Sequence, residues 1–245
     1  MRWVLSILGL FFAAANAVAQ QDVTSTAVVP VVGSVRGATN VIWKTDVEIV
    51  NDTGGATTIA LELTALPGTA LILDMEPGAS QRFTDIVGQA FGLERVLSPM
   101  RVTTMGRRSV TIRANAYAIR EGMISKMQAL GTTYGSEYAP FRALDGLGFS
   151  DALRTNIGLV NFSDRETDFL LALQRLPGRD LAVTRVSVGP ESLLHISIQS
   201  LFPLITKGEH FRVVVETLVR ETYVYASVID NEHTGTFVQP RVTSR

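Results

Sequence analysis

Two stretches of this sequence, 110 positions apart, decide the fold: Lys44-Thr45-Asp46-Val47-Glu48-Ile49-Val50-Asn51 and Arg154-Thr155-Asn156-Ile157-Gly158-Leu159-Val160-Asn161. In each stretch, β-branched or aliphatic residues alternate with polar or small ones. Alternation with period two indicates a β-strand that turns one face to a core. Each stretch ends at an asparagine, a residue type favoured in turns. The sequence therefore predicts the same half-buried strand twice.

The similarity extends beyond these strands. Residues 30–71 align without a gap over residues 140–181, and eleven of the 42 pairs are identical. Turn sequences recur as well, with Leu66-Pro67-Gly68 matching Leu176-Pro177-Gly178. We interpret the chain as one module duplicated, with predicted domains at 20–134 and 135–245. The join near 131–138 is neither long nor proline-rich, so we expect the two copies to lie close together.

The pattern within each copy predicts an all-β fold. Alternation recurs in Val110 to Ala118, and sequences such as Glu76-Pro77-Gly78 separate the strands. Short strands with turns at this spacing are typical of antiparallel β-sandwiches. One segment per copy, Phe83 to Leu93 and roughly Ile196 to Phe202, instead has apolar residues at helical spacing. The expected fold is therefore two tandem duplicated β-sandwiches, each with one short helix.

The motif Arg154-Thr155-Asn156-Ile157-Gly158, followed by Tyr225-Ala226-Ser227-Val228-Ile229-Asp230-Asn231, resembles a repeat found in secreted bacterial proteins. Those proteins carry tandem immunoglobulin-like β-sandwich modules. The resemblance spans nearly all of the chain after residue 19 and is closer in the second copy. It implies an immunoglobulin-like fold, export and a bacterial source, and it brings no catalytic residues with it.

Residues 1–19 have the organisation of a signal peptide. Arg2 precedes an apolar segment from Trp3 to Ala15, and Ala17-Val18-Ala19 fits the small-x-small cleavage pattern. Ala15-Asn16-Ala17 offers an earlier cleavage point. A membrane anchor is the alternative, although the segment is at the short limit for a span and no basic cluster follows it. We expect a secreted or periplasmic protein without a transmembrane segment after cleavage.

The composition of the chain excludes several classes of chemical site. The formal charge is −1, so no strong overall field favours nucleic acid as a partner. There is no cysteine, which excludes disulfides, thiolate metal sites and cysteine nucleophiles. We predict no cofactor and no metal site. The expected partner is an unknown protein or a cell-surface glycan.

Motifs for catalysis or metal binding are weak. His195 lies in an apolar run and is interpreted as a partly buried, satisfied histidine, while His210 and His233 lie in expected loops. Gly148-Phe149-Ser150-Asp151-Ala152 approaches a nucleophile elbow, but a Gly-rich loop is expected before it and a strand, rather than a helix, after it. Asp230, Asn231 and Glu232 lack EF-hand spacing and are interpreted as a polar turn. Asn51-Asp52-Thr53 and Asn161-Phe162-Ser163 fit both glycosylation sequons and asparagine turns.

Charge and aromatic residues suggest contact surfaces. The segment 95–126 has a net charge of +6, so a polyanion site at Arg101, Arg107, Arg108, Arg113 and Arg120 is one hypothesis. The alternative is that these arginines only solubilise outward strand faces. Trp43 is expected to be a packing residue. Tyr117, Tyr223 and Tyr225 are predicted on outward faces as contact residues.

Three hypotheses about function follow. The leading one is a noncatalytic exported protein with a structural or interaction role at the cell envelope or outside the cell. The second is a binding module for an anionic polysaccharide through the basic face of the first copy. The third is a hydrolase with a site at the domain junction.

Overall fold

The computed structural model describes residues 24–37, 41–106, 110–124, 128–130, 133–134, 139–175, 179–205, 207–230 and 235–243. The predicted signal segment lies outside these residues. The all-β expectation is confirmed, since the described chain consists mainly of antiparallel strands with two one-turn helices. No helix among the described residues has the length and apolar character needed to cross a membrane.

Among the described residues, the first half of the chain contains these elements: β1 (Thr24–Arg36), β2 (Ile42–Val50), β3 (Thr57–Leu63), β4 (Ala70–Met75), β5 (Ser80–Phe83), α1 (Ile86–Gln89), β6 (Val96–Met105), β7 (Thr111–Arg120), β8 (Met123–Ile124), β9 (Gln128–Leu130) and β10 (Thr133–Tyr134). They pair in the order β4-β3-β6-β1-β2-β7-β8, with β5 on β2, β9 on β7 and β10 on β1. Strand β1 pairs with β6 up to Ser34 and with β2 from Ser34 to Arg36, and its register shifts between Val29 and Val32. Through this irregularity β1 connects the β4-β3-β6 layer to the β2-β7 layer.

The second half is built from two separate sheets. Its elements are β11 (Phe141–Phe149), β12 (Leu153–Asn161), β13 (Thr167–Arg175), β14 (Arg179–Val188), β15 (Ser192–Ser197), α2 (Ile198–Leu201), β16 (Gly208–Glu216), β17 (Thr222–Asp230), β18 (Gly235–Val238) and β19 (Arg241–Val242). One sheet has the order β14-β13-β16-β11-β19 and the other the order β15-β12-β17-β18. Each pairing of described strands joins two strands of the same half.

The cores follow the alternation of the sequence. In the first half, Val47 and Ile49 of β2 pack with Ile59 of β3 and Val102 of β6. The second core contains the inward residues of β12, β13, β16 and β17. Burial of these side chains supplies the main stabilisation of both halves.

The two asparagine turns have the same hydrogen bonds. Nδ2 of Asn51 donates to the carbonyls of Gly55, Met75 and Glu76, and its Oδ1 accepts from the backbone and hydroxyl of Thr53. Asn161 binds the carbonyls of Arg165, Val188 and Gly189 and accepts from Ser163 in the same way. Both asparagines have no exposed surface. With Nδ2 buried and committed to three carbonyls, these are structural turns, and the folded chain offers no glycosylation site at them.

A second shared contact shows where the two halves differ in length. The amide of Gly33 donates to Oγ1 of Thr45 at 3.0 Å, and the amide of Gly148 donates to Oγ1 of Thr155 at 3.3 Å. The first pair is 12 residues apart and the second pair 7. The first half is therefore longer than the second before Thr45, in the connection between β1 and β2. The alignment of residues 30–71 over 140–181 needs a gap at this point.

The predicted short helices are present but shorter than the periodicity suggests. In the first half, Phe83 ends strand β5, and the helix spans only Ile86–Gln89. Asp85 caps its first turn by accepting from the amide of Gly88, and Ser197 caps α2 by accepting from Ser200. The apolar spacing over 83–93 thus combines a strand end, one helical turn and a loop.

Candidate functional site

The two halves are in direct contact through polar and apolar residues. On β6, Arg101 donates to the carbonyl of Phe162 at 2.9 Å and to Oε1 of Glu191 at 2.8 Å. Val160 and Tyr225 of the second half belong to the apolar cluster of the first. The outer face of the β15-β12-β17-β18 sheet is therefore covered, at least in part, by the first half.

A cavity of about 260 Å³ lies between the halves, and we call it the junction cavity. Its wall is largely aliphatic, with side chains from β1, β6, β7, β9 and β17: Val31, Val35, Leu97, Ala116, Leu130 and Ile229. The aromatic residues Trp43, Tyr225 and Phe237 also line it. Mostly apolar cavities with a few polar groups are typical of small-molecule sites.

Strand alternation brings the polar residues to this wall. Thr155, Ile157 and Leu159 are buried on the core face of β12, whereas Arg154 and Asn156 line the cavity. On the neighbouring strand β17, Tyr225 and Ser227 also line it. The residues that carry the sequence resemblance in the second half thus contribute alternate positions of two adjacent strands to one cavity.

Tyr225 lies across β12 towards β15. Gly158 is opposite both Tyr225 and His195 in the two strand pairings, and a Cβ added to Gly158 would meet the Tyr225 ring at 2.1 Å. The Tyr225 hydroxyl is 2.9 Å from Nδ1 of His195. On its other side the ring stacks on Phe237, with centroids 4.9 Å apart. Glycine at position 158 is what allows the ring to lie flat on the sheet.

Desolvation lowers the pKa of His195 to about 4, so the ring is neutral near pH 7. Burial also raises the pKa of Tyr225 far above that of a free phenol. His195 is nevertheless an exposed residue and lines the junction cavity. Solvent or a ligand in the cavity therefore partly offsets the desolvation of its ring. His195 and Tyr225 therefore form a neutral, hydrogen-bonded pair on the cavity wall. This hydrogen bond agrees with the expectation that the His195 side chain has a partner.

Two polar atoms on the cavity wall lack hydrogen-bond partners in the part of the chain that the structure describes. Nε of Arg154 and Oγ of Ser227 are buried, and neither has a hydrogen-bond partner among the described residues. Buried polar atoms are nearly always paired, and leaving one unpaired costs about 1–3 kcal/mol. Both unpaired atoms belong to residues that line the same cavity. A polar group of a ligand would supply the hydrogen bonds that these two atoms lack.

The corresponding cation of the first half is neutralised. Nζ of Lys44 lies 2.5 Å from Oδ2 of Asp85, which also accepts from the hydroxyl of Ser34. Asp46 accepts from the backbone of Asp85. Burial and then the charge of Asp46 raise the pKa of Tyr117 to about 12. Lys44 also lines the cavity, but in the first half this cation is part of a closed polar cluster.

Tyr117 and Tyr225 are buried, with 4% and 1% exposure, so the prediction that they are exposed contact residues is wrong. Tyr117 is part of the polar cluster beside Asp46. Tyr225 does point away from its own core, but the first half covers that face. Tyr223 is half-buried. Sequence alternation gives the face of a strand and contains no signal for what the other half covers.

The described members of the predicted polyanion site are divided between two strands, with Arg101 on β6 and Arg113 and Arg120 on β7. Arg101 on β6 is paired with Glu191 at the junction, and Arg113 on β7 is paired with Glu48 at 3.0 Å. Strands β1 and β2 separate β6 from β7 in the sheet. Arg120 is exposed at the end of β7, and Arg107 and Arg108 lie outside the described residues.

The remaining sequence motifs lie away from the cavity. Ser150 occupies the turn between β11 and β12, where its hydroxyl accepts from the amides of Ala152 and Leu153. A strand precedes this turn, where the sequence suggested a loop, and a strand follows it as expected. His210 has a positive φ in β16. Asp230 ends β17, while Asn231, Glu232 and His233 lie outside the described residues.

Within the described ranges, no group of three His, Asp or Glu side chains is arranged to hold a metal ion. The junction cavity itself has no acidic residue among its described lining. Its polar contributions are cationic or neutral.

No protein-family model matches this chain, and no curated protein is significantly similar to it.

Proposed function

We propose that this chain is a noncatalytic exported protein with an interaction role, at the cell envelope or outside the cell, and that it binds a small molecule in the junction cavity. The observation that carries the proposal is a pair of buried polar atoms, Arg154 Nε and Ser227 Oγ, which have no partner in the described part of the chain and lie on a largely apolar wall. Isolated buried polar atoms destabilise a fold, whereas a binding site needs a few polar groups ready to orient a ligand.

The duplication into two immunoglobulin-like modules is part of this proposal. It is supported by the aligned sequence and by the identical hydrogen bonding at Asn51 and Asn161. In this view the first copy keeps a closed polar cluster, whereas the second presents the matching face to the cavity. The sequence of residues 1–19 supports export.

Binding is favoured over hydrolysis by the contacts of Ser227. A serine nucleophile needs a hydrogen bond to a general base. Ser227 Oγ has no such partner among the described residues, and Nδ1 of His195 is engaged with Tyr225. The polyanion hypothesis has less support, because Arg101 and Arg113 already form ion pairs on separate strands.

Benzene is a suitable first probe, since apolar cavities of about 150 Å³ bind it. It would be titrated into protein produced from the full chain, with methyl resonances followed by NMR. We expect saturable shifts at the methyl groups of Val31, Leu97 and Leu130, which line the cavity. Ala116→Phe should abolish them by filling the cavity, whereas Ala60→Phe, on β3 away from the cavity, should not. Absence of saturable shifts at these methyl groups would contradict the proposal.

Export has its own test. The full chain would be expressed in a bacterial host, and the N-terminus of the protein outside the cytoplasm determined by mass spectrometry. Processing after Ala19, or after Ala17, is expected. An intact chain retained in the cytoplasm would exclude export.

A further inference from the structure

We infer that the ligand of the junction cavity is a small anionic amphiphile: a carboxylate that binds Arg154 and Ser227, joined to an apolar body that lies among the aliphatic and aromatic side chains. The inference rests on the proposed function and specifies its ligand class. Three features of the cavity carry it.

The first feature is charge. Two cationic residues, Lys44 and Arg154, line the cavity, and no acidic residue is among its described lining. Lys44 is neutralised by Asp85. The side chain of Arg154 forms no ion pair with a described residue, and its buried Nε has no hydrogen-bond partner among them. A half-buried guanidinium without a counter-charge favours an anion beside it.

The second feature is the geometry of the two strands. Asn156 on β12 is directly opposite Ser227 on β17, so Arg154 is the diagonal neighbour of Ser227 on the same sheet face. Diagonal neighbours lie about 7–8 Å apart at Cα, within reach of an arginine side chain. A carboxylate has two acceptor oxygens, so one group can accept from both Arg154 Nε and Ser227 Oγ.

The third feature is the comparison between the halves. In the first half, the residue that caps the one-turn helix is Asp85, and its carboxylate binds Lys44. In the second half, the capping residue is Ser197, so the matching cation, Arg154, has no carboxylate from this position. The ligand carboxylate would supply in the second half the charge that the protein itself supplies in the first.

The remaining wall defines the rest of the ligand. Apart from the polar strip on β12, β15 and β17, the lining is mainly aliphatic and aromatic, which suits an alkyl chain or a ring. A volume of about 260 Å³ corresponds to roughly nine water molecules at liquid density. Octanoate is therefore a suitable probe, with 1-octanol and octylammonium as its uncharged and cationic counterparts.

The three probes would be titrated calorimetrically into protein produced from the full chain. We expect octanoate to bind at least tenfold more tightly than 1-octanol, since hydrogen bonds to charged groups contribute about 1.5–3 kcal/mol. In Arg154→Met most of the preference for octanoate should be lost, with octanol binding unchanged. Ser227→Ala should weaken octanoate by a smaller factor.

Stability measurements show whether these variants fold and test the charge argument separately. Without ligand, Arg154→Met should melt at a higher temperature than the wild type, because it removes a cation that has no counter-charge among the described residues. The matched variant Lys44→Met should melt at a lower temperature, because it leaves the Asp85 carboxylate without its counter-charge.

The outcomes separate the two proposals. Equal binding of octanoate and octanol, or tighter binding of octylammonium, would overturn the anionic ligand and leave a small-molecule site. Binding of none of the three probes, together with no response to benzene, would overturn both. Octanoate binding that Arg154→Met does not weaken would show that the carboxylate is not bound at this residue and would also overturn the inference.

Discussion

The ring of Tyr225 lies over Gly158 of the adjacent strand, so close that a Cβ at position 158 would meet ring carbons at 2.1 Å. Gly158→Ala should therefore displace Tyr225 from the cavity wall and break its contact with His195. Overpacking of this kind destabilises a fold by about 1–3 kcal/mol. The free energy of unfolding in urea would be compared with that of Gly55→Ala, where nothing lies within 4 Å of the added Cβ. Equal stabilities of the two variants would show that the ring does not depend on the glycine.

Each asparagine turn should contribute strongly to the stability of the half in which it lies. Asn161→Ala leaves three carbonyls without their donor, and buried unpaired groups each cost about 1–3 kcal/mol. We expect a loss of roughly 2–4 kcal/mol by urea unfolding, and a similar loss for Asn51→Ala. Asp164→Ala, at an exposed position of the same turn, serves as the control and should change stability by less than about 0.5 kcal/mol. A small effect of Asn161→Ala would mean that the turn is held by other contacts.

The depressed pKa of His195 predicts a specific pH dependence of stability. Since its pKa is about 4 in the folded chain and 6.5 in a model peptide, the unfolded chain binds the proton more readily between these values. The wild type should therefore lose stability relative to His195→Gln as the pH falls from about 6.5 towards 4. Above pH 7 the difference in the free energy of unfolding between the two proteins should be constant. Urea unfolding of both proteins across this range measures it, and a difference that does not change with pH would show that His195 titrates normally.

Arg101 should stabilise the contact between the halves rather than serve as a free surface cation. Arg101→Met removes the bonds to Phe162 and Glu191, and we expect a loss of about 1–3 kcal/mol, measured by thermal or urea unfolding. The matched variant Arg113→Met removes a surface pair, with the arginine 62% exposed, and should cost less than about 1 kcal/mol. Similar losses in both variants would contradict a role for Arg101 at the junction.

Much of the fold can be predicted from the sequence because local rules agree over long stretches. The alternation in β2 and β12 gives their inward faces, and each terminal asparagine marks a turn. The helical spacing over 83–93 misleads because Phe83 ends a strand whose side chains happen to continue the helical pattern.

The site is harder to predict because it forms between residues distant in sequence. The pattern of β17 correctly places Tyr225 away from its own core, but it contains no information about the first half, which covers that face. The sequence also does not reveal that Arg154 lacks a carboxylate partner among the described residues, because this depends on the capping residue of α2 being Ser197. One signal was present: where the first half has Lys44 and an acidic cap, the second half has Arg154 and a serine cap. The meaning of this difference for the charge of the cavity is seen when Asp85 and Ser197, the N-caps of the two short helices, are treated as equivalent positions.

The most direct test of the anionic ligand is a crystal structure of the protein grown with octanoate. We expect electron density for the ligand in the junction cavity, with its carboxylate within hydrogen-bond distance of Arg154 Nε and Ser227 Oγ and its chain among Val31, Leu97 and Leu130. The contradicting result would be a cavity that contains only ordered water at saturating octanoate, or a ligand whose carboxylate lies away from Arg154.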